Sequence, residues 1–422
     1  MLLQGYKSKW EIGIRLTLII MISSLVLNLM KLNSYSIIGF LFFSFLTFRF
    51  FKKPSFDLLG ISSLCYFGIT LIGLFFTTNI GVESKNIESK LLLFILPLLY
   101  AFYGLDKRIL SVYVFKTLLY SVSIVSVFCL VYSLVSFWEF RDLNLFFYHD
   151  LLKPIQHHAV YFSIGVILCI IYLITNKDIL RNRSFLKISW IAYLWIILLL
   201  LSSKMLIFFA VVFLLAIQFK KIRSKNTGKW ILGLAVLLIA LFSFKNPISQ
   251  RFYEIANSNL QVISQETIGP EVYLNGLEFR LLQWRNTYEI LNRYDAWLTG
   301  VGFADSKKLL WEQYDILRLY KGEDPSVIGG FYVYDLHNQY LQTTLQMGIL
   351  GLLVLVLFMF SLFKAAIQTQ NILLLALACM FVFLCFTENV LDRQYGMIFF
   401  VFIPFLLNNF QASPTGIKKE SN

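Results

Sequence analysis

The chain has 422 residues, of which 58% are hydrophobic, 17% aromatic and 14% charged, with a formal net charge of +13. A soluble domain carries about 25% charged residues, so this composition excludes an ordinary soluble enzyme. It fits a chain whose apolar segments each approach the roughly 20 residues that cross a bilayer as a helix.

In chain order, apolar spans are centred near residues 21, 43, 68, 97, 125, 168, 196, 212, 237, 352, 381 and 402. The expected fold is therefore an all-α, polytopic integral membrane protein with about 12 transmembrane helices. The first span follows Lys7 and Lys9, lacks a small-residue cleavage site and reads as a retained helix rather than a signal peptide. Residues 1–244 hold the first nine spans, 245–336 a large outer loop, 337–410 the last three spans and 411–422 a tail.

The positive charge reads as orientation, not as nucleic-acid binding, and no nucleic-acid partner is expected. With the N-terminus inside, cytoplasmic segments hold 21 Lys and Arg while the short outer segments hold seven, so both termini are expected in the cytoplasm. Cys65, Cys129, Cys169, Cys379 and Cys385 all fall within apolar spans and read as packing residues.

The loop 245–336 holds 12 of the 24 acidic residues, a polar insertion too large for a passive connector. Helical spacing over Phe279–Leu291 and Ala304–Tyr320 predicts two short helices there. A second outer segment, Trp138–His158, contains three of the four histidines. Its adjacent His157 and His158 have two readings: contact with a carrier or sugar, or an interfacial pair beside Tyr161. Glu388, at the outer end of the eleventh span, is expected to pair with Arg393 or to hold a polar cavity. There is no HExxH, no DxD, no cysteine cluster and no Walker-type loop, so neither a metal nor a cofactor is expected.

The clearest motif is His337-Asn338, nine further residues, then Gly348-Ile-Leu-Gly351, where the long loop meets the tenth span. On a continuous helix both glycines would fall near the face of the histidine. The imidazole would then sit at the outer membrane edge, above a smooth stripe that another helix can approach. An interfacial histidine over a packing motif fits this spacing as well as a functional site does.

His-Asn-x9-Gly-x-x-Gly after a large outer loop resembles the signature of the O-antigen ligase and polymerase superfamily. Arg280-Leu-Leu-Gln-Trp284 is similar to that family's arginine-containing loop helix, and Leu298-Thr-Gly300-Val-Gly302-Phe to its glycine turn. Ser202-Ser203-Lys204 stands where the family usually has Ser-Arg, and lysine departs from that pattern because it cannot make a bidentate fork. The likeness covers roughly residues 190–407.

The resemblance implies a GT-C-like enzyme of the bacterial inner membrane with a periplasmic site. It would be metal-independent and would move a glycan from an undecaprenyl-diphosphate carrier to a hydroxyl of lipid A core, another glycan or a protein. His337 is then the expected base and Arg280 the expected diphosphate clamp, with Lys204, Arg285 and Asn338 as further donor-binding residues. Gly348, Gly351, Gly300 and Gly302 are the structural motif. A repeat-unit polymerase, a protein O-oligosaccharyltransferase and, from another class, a transporter or flippase of lipid-linked glycan are the competing readings.

Overall fold

The computed structural model describes residues 2–46, 56–75, 77, 84–102, 107–176, 179–180, 183–221, 257–323 and 328–408. Among them the secondary structure is helical, without a strand. The principal elements are α1 (Leu2–Val26), α2 (Met30–Leu46), α3 (Leu58–Phe75), α4 (Ser84–Phe102), α5 (Lys107–Phe140), α6 (Ala159–Thr175), α7 (Ser184–Leu200) and α8 (Lys204–Lys221). They continue with the loop helices α9 (Gly276–Arg293) and α10 (Asp305–Leu317), then α11 (Gln339–Thr369), α12 (Ile372–Leu384) and α13 (Gln394–Leu407).

Every expected span except the one near residue 237 coincides with one of these helices. That span, residues 245–256 and 324–327 of the large loop, and the expected tail 411–422 lie outside the described residues. Two helices, Leu110–Phe140 and Gln339–Thr369, pass as membrane spans by length and composition, and the other apolar helices are shorter.

Burial follows the sequence. Helix α6 is apolar on all sides and almost wholly buried, as a helix at the centre of a bundle must be. It packs on α5, α7, α8 and α12. Helix α5 instead exposes Ile124, Val127, Phe128, Val131 and Val135, an apolar outer surface. Small hydroxyls join helices where polar groups are buried: Ser62 donates to Ser361 at 2.8 Å, and the hydroxyls of Tyr66 and Thr343 lie 3.0 Å apart.

The two loop helices form as expected. Helix α9 begins with a capping box between Asn275 and Glu278. Leu282, Ile290, Leu291, Leu310, Tyr314 and Leu317 make a small hydrophobic core between α9 and α10. Trp284 and Tyr288 of the same predicted segment face outward, because they sit on the opposite side of α9 from Leu282.

Helix α11 departs from the expectation of a continuous helix. Gly348 has φ +64° and ψ −165°, which interrupts it. A Cβ on Gly351 would lie 3.4 Å from the carbonyl oxygen of Thr343, and Tyr340 Oη lies 3.6 Å from Met359 Sδ. Such contacts require the chain to double back, so α11 is two limbs, Gln339–Met347 and Ile349–Thr369, side by side. Gly348 makes the reversal and Gly351 lets the limbs touch. The turn 297–301 caps it: Ile349 N–H donates to Trp297 O at 2.8 Å, and Val301 N–H to Leu345 O at 2.8 Å. There the backbones meet directly, because a Cβ on Gly348 would lie 2.2 Å from Leu298 O and one on Gly300 (φ +74°) 2.4 Å from Met347 N. Gly302 (φ +90°) completes the turn.

Candidate functional site

The reversal places His337 differently from the expected helix face at the membrane edge. At 1.5 Å per residue, the limb from Gln339 to Met347 is roughly 13 Å long, and His337 lies beyond its deep end. The histidine is therefore set below the glycine turn by the length of that limb. It precedes the helix, with φ +46°, and its backbone N–H donates to Asp335 Oδ1 at 3.0 Å.

Asn338 is the N-cap of α11: its side-chain oxygen accepts from Leu341 N at 3.0 Å, while its own N–H donates to Asn389 Oδ1 at 2.9 Å. Asn338 thus serves as a helix cap through its side-chain oxygen and backbone N–H. The next residue continues the seam, with Gln339 N–H bonded to Cys385 O at 2.8 Å and Gln339 Oε1 accepting from Leu391 N–H at 2.7 Å. These bonds hold the segment after α12 against the start of α11, and so bring Glu388 to His337.

Around the imidazole, Nδ1 is buried and unpartnered, 3.6 Å from Asp335 Oδ1 and 4.0 Å from Glu388 Oε2. Of the two readings for Glu388, pairing with Arg393 is not made: Arg393 reaches Asp335 Oδ2 at 3.3 Å. Asp335 is thus shared between the histidine backbone and an arginine. Burial holds the His337 imidazole below its ordinary value against the pull of Asp335, with the positive charges of Arg280 and Arg393 adding to the depression. Burial, and then Asp335, raise the Glu388 carboxyl to about 7, partly offset by Arg280 and Arg393. Glu388 therefore titrates close to neutrality, while the His337 imidazole gives up its proton more readily than a free one.

Arg280 projects from the first turns of α9, where its Nη1 donates to Gly276 O at 3.2 Å and its Nε is buried and unpartnered. Its charge acts on both His337 and Glu388, which puts it within electrostatic reach of the histidine. Arg285 is not brought there. It staples the loop, donating from Nη1 to Ile263 O at 2.7 Å and to Gln265 O, and from Nε to Glu289 at 2.6 Å. Five residues of helix turn it away from Arg280.

Lys204 opens α8 after the turn at Ser202 (φ +50°) and buried Ser203. Phe209 of α8 packs against Phe383 of α12 with ring centres 6.1 Å apart, so Lys204 stands at the same end of the bundle as the end of α12.

Three further groups complete this end of the bundle. His158 and Tyr161, at the start of α6, are within electrostatic reach of Arg393. Lys90 of α4 is fully buried, with its Nζ 2.9 Å from Asp392 Oδ1 and 4.3 Å from the ring centre of Phe303, which ties the glycine turn to the bundle. Sequence reasoning passed over Asp335 and Lys90. Asp335 carried a local signal, a carboxylate two residues before a histidine. Lys90 carried none, since its partners are distant in sequence.

No three His, Cys, Asp or Glu side chains converge as a metal site among the described residues. The site contains a half-buried imidazole with two carboxylates near its Nδ1 atom, within electrostatic reach of a guanidinium whose Nε is unpartnered. Such a set can move one proton and stabilise one anion.

No curated protein matches the chain. Residues 188–356 match the family model described as O-antigen ligase, a segment that includes Lys204, Arg280, His337 and Gly348 but ends before Glu388 and Arg393. That segment, less than half of the chain, is what the protein shares with the O-antigen ligase family.

Proposed function

We propose that this protein is a membrane glycosyltransferase of the O-antigen ligase type, spanning the bacterial inner membrane about twelve times with its site open to the periplasm. The donor is a glycan on undecaprenyl diphosphate, and the acceptor is a hydroxyl of lipid A core. The observation that supports this reading is His337, sunk among Asp335, Glu388 and Arg280.

Asp335 and Glu388 lie on the Nδ1 side of the imidazole, which leaves Nε2 for the acceptor hydroxyl. With its affinity for protons lowered, the imidazole is neutral at pH 7 and able to accept one. As the acceptor oxygen bonds to the anomeric carbon, its proton passes to His337 and the bond from that carbon to the diphosphate oxygen breaks. The two carboxylates stabilise the resulting imidazolium. Arg280 stabilises the departing diphosphate through charge-assisted hydrogen bonds, with Lys204 adding charge from the same end of the bundle.

Deleting the gene and analysing the glycans tests the reaction. Full-length lipid-linked polymer with none on lipid A core is the expected result. Accumulated single lipid-linked repeats would make the protein a polymerase, undermodified protein an oligosaccharyltransferase, and unchanged glycans with altered solute uptake a transporter. In the same strain, His337→Ala should restore a folded, membrane-inserted protein whose transfer is slower by about 10²–10⁴-fold, the usual worth of a positioned base. Near-normal transfer at matched expression would remove His337 as the base.

A further inference from the structure

The two adjacent histidines of the outer segment separate in the structure. His157 is 4% exposed, its ring packs edge-on to Phe162 and against Tyr395, and its Nδ1 lies 3.0 Å from the His158 carbonyl oxygen. It is a packing residue.

His158 stands at the N-cap position of α6 without capping it. Its ring is edge-on to Tyr161 at 5.5 Å and to His149 at 4.7 Å, and its Nδ1 is buried and unpartnered. Tyr161 is 2% exposed and stacks on Tyr395 with ring centres 5.0 Å apart, yet its hydroxyl is also buried and unpartnered. Tyr395 follows Arg393 by two residues, Arg393 Nη2 lies 3.3 Å from Asp335 Oδ2, and Asp335 Oδ1 in turn is 3.6 Å from His337 Nδ1. Through Tyr395, Tyr161 and the His158 ring against it therefore border the His337 site from the α6 side.

We propose that His158 Nδ1 and Tyr161 Oη bind hydroxyls of the acceptor sugar and hold it beside His337. This rests on the transferase reading above. The chemistry of the two groups selects the acceptor over the diphosphate. Burial, with His149, Arg393, His157 and His337 around it, pushes the His158 imidazole down to about 3, so it stays uncharged. A neutral imidazole and a phenol offer single directional hydrogen bonds suited to hydroxyls. A diphosphate requires fixed positive charge, which Arg280 provides. Both residues also lie outside the matched segment 188–356.

The test uses the full-length protein in vesicles, with lipid-diphosphate-linked glycan and lipid A core, both extracted from the deletion strain, as donor and acceptor. Tyr161→Phe removes only the hydroxyl and keeps the stacking, while His158→Phe keeps a ring against Tyr161. Each should raise the acceptor KM by about 2- to 10-fold, the usual worth of a neutral hydrogen bond, and the two together by the product. The donor KM and kcat should stay within about 2-fold, since the bonds hold bound acceptor and its transition state alike. An unchanged acceptor KM in both variants, or a raised donor KM instead, overturns the proposal while leaving the transferase reading intact. Wild-type protein that transfers no glycan removes that reading, and this inference with it.

Discussion

The body of the large loop and the site beneath it use the same kinds of polar residue and treat them in opposite ways. In the loop, Arg285 is shared among two carbonyls and Glu289, Arg293 donates to Gln313, Gln283 donates to Tyr314, and Tyr332 donates to Asp315. Below it, Arg280 Nε, His337 Nδ1, His158 Nδ1 and Tyr161 Oη are buried with no partner. Buried polar atoms are ordinarily satisfied, because leaving one unpaired costs about 1–3 kcal/mol. Asn286 Oδ1 apart, the loop answers its own polar groups and is held together by them, whereas a set of unanswered groups around one histidine is a place where substrate supplies the missing bonds. Arg280 and Arg285 carry this contrast within one helix.

The largest effect should come from the hinge that sets the two regions against each other. Gly348→Ala places a Cβ 2.2 Å from Leu298 O at φ +64°, and should abolish nearly all folded protein. The monodisperse peak of detergent-extracted protein measures this, and a normal yield with normal transfer would contradict the reversal.

Next in size is Arg280→Ala, with an expected loss in transfer of about 10²–10³-fold at unchanged thermal stability. Arg280→Lys should recover part of it, since charge returns without the fork. Combined with His337→Ala, the loss should be smaller than the product of the single losses if the two residues act on one substrate.

Glu388 sharpens the comparison through pH. Its folded value of about 7 lies above the ordinary value of 4.5, so it binds its proton more tightly when folded. That contribution to stability is full below 4.5 and lost as pH rises through about 7. Glu388→Gln should therefore melt higher than wild type at pH 8. If ionised Glu388 supports the imidazolium, transfer by wild type falls as pH drops through about 7, and the variant lacks that inflection. An identical pH profile in the variant would make Glu388 a structural group only.

The smallest catalytic effect should belong to Arg285→Ala. Losing its bonds to Ile263, Gln265 and Glu289 should destabilise the loop by about 1–3 kcal/mol, read as a lower melting temperature. Turnover per folded molecule should stay within about 2-fold of wild type. A loss as large as that of Arg280→Ala would erase the distinction between the two regions.

Sequence alone determined the class of fold, because in lipid every backbone group must be paired within its own helix, and the apolar runs marked those helices directly. It also marked α9 and α10, whose capping and spacing are local, and it singled out His337 and Arg280 as chemically capable residues. Only the tertiary structure decided which side chains share a site. The reversal at Gly348 was hidden because apolar periodicity continues through a residue whose backbone turns back, and a glycine has no side chain to signal it. Asp335 and Arg393 are separated by 58 residues, and Lys90 is farther still from Asp392, so no spacing rule connects them. Arg280 and Arg285 look equivalent in sequence. What separates them is which backbone carbonyls and carboxylates the folded loop brings within reach, a property of packing between distant segments and not of either residue.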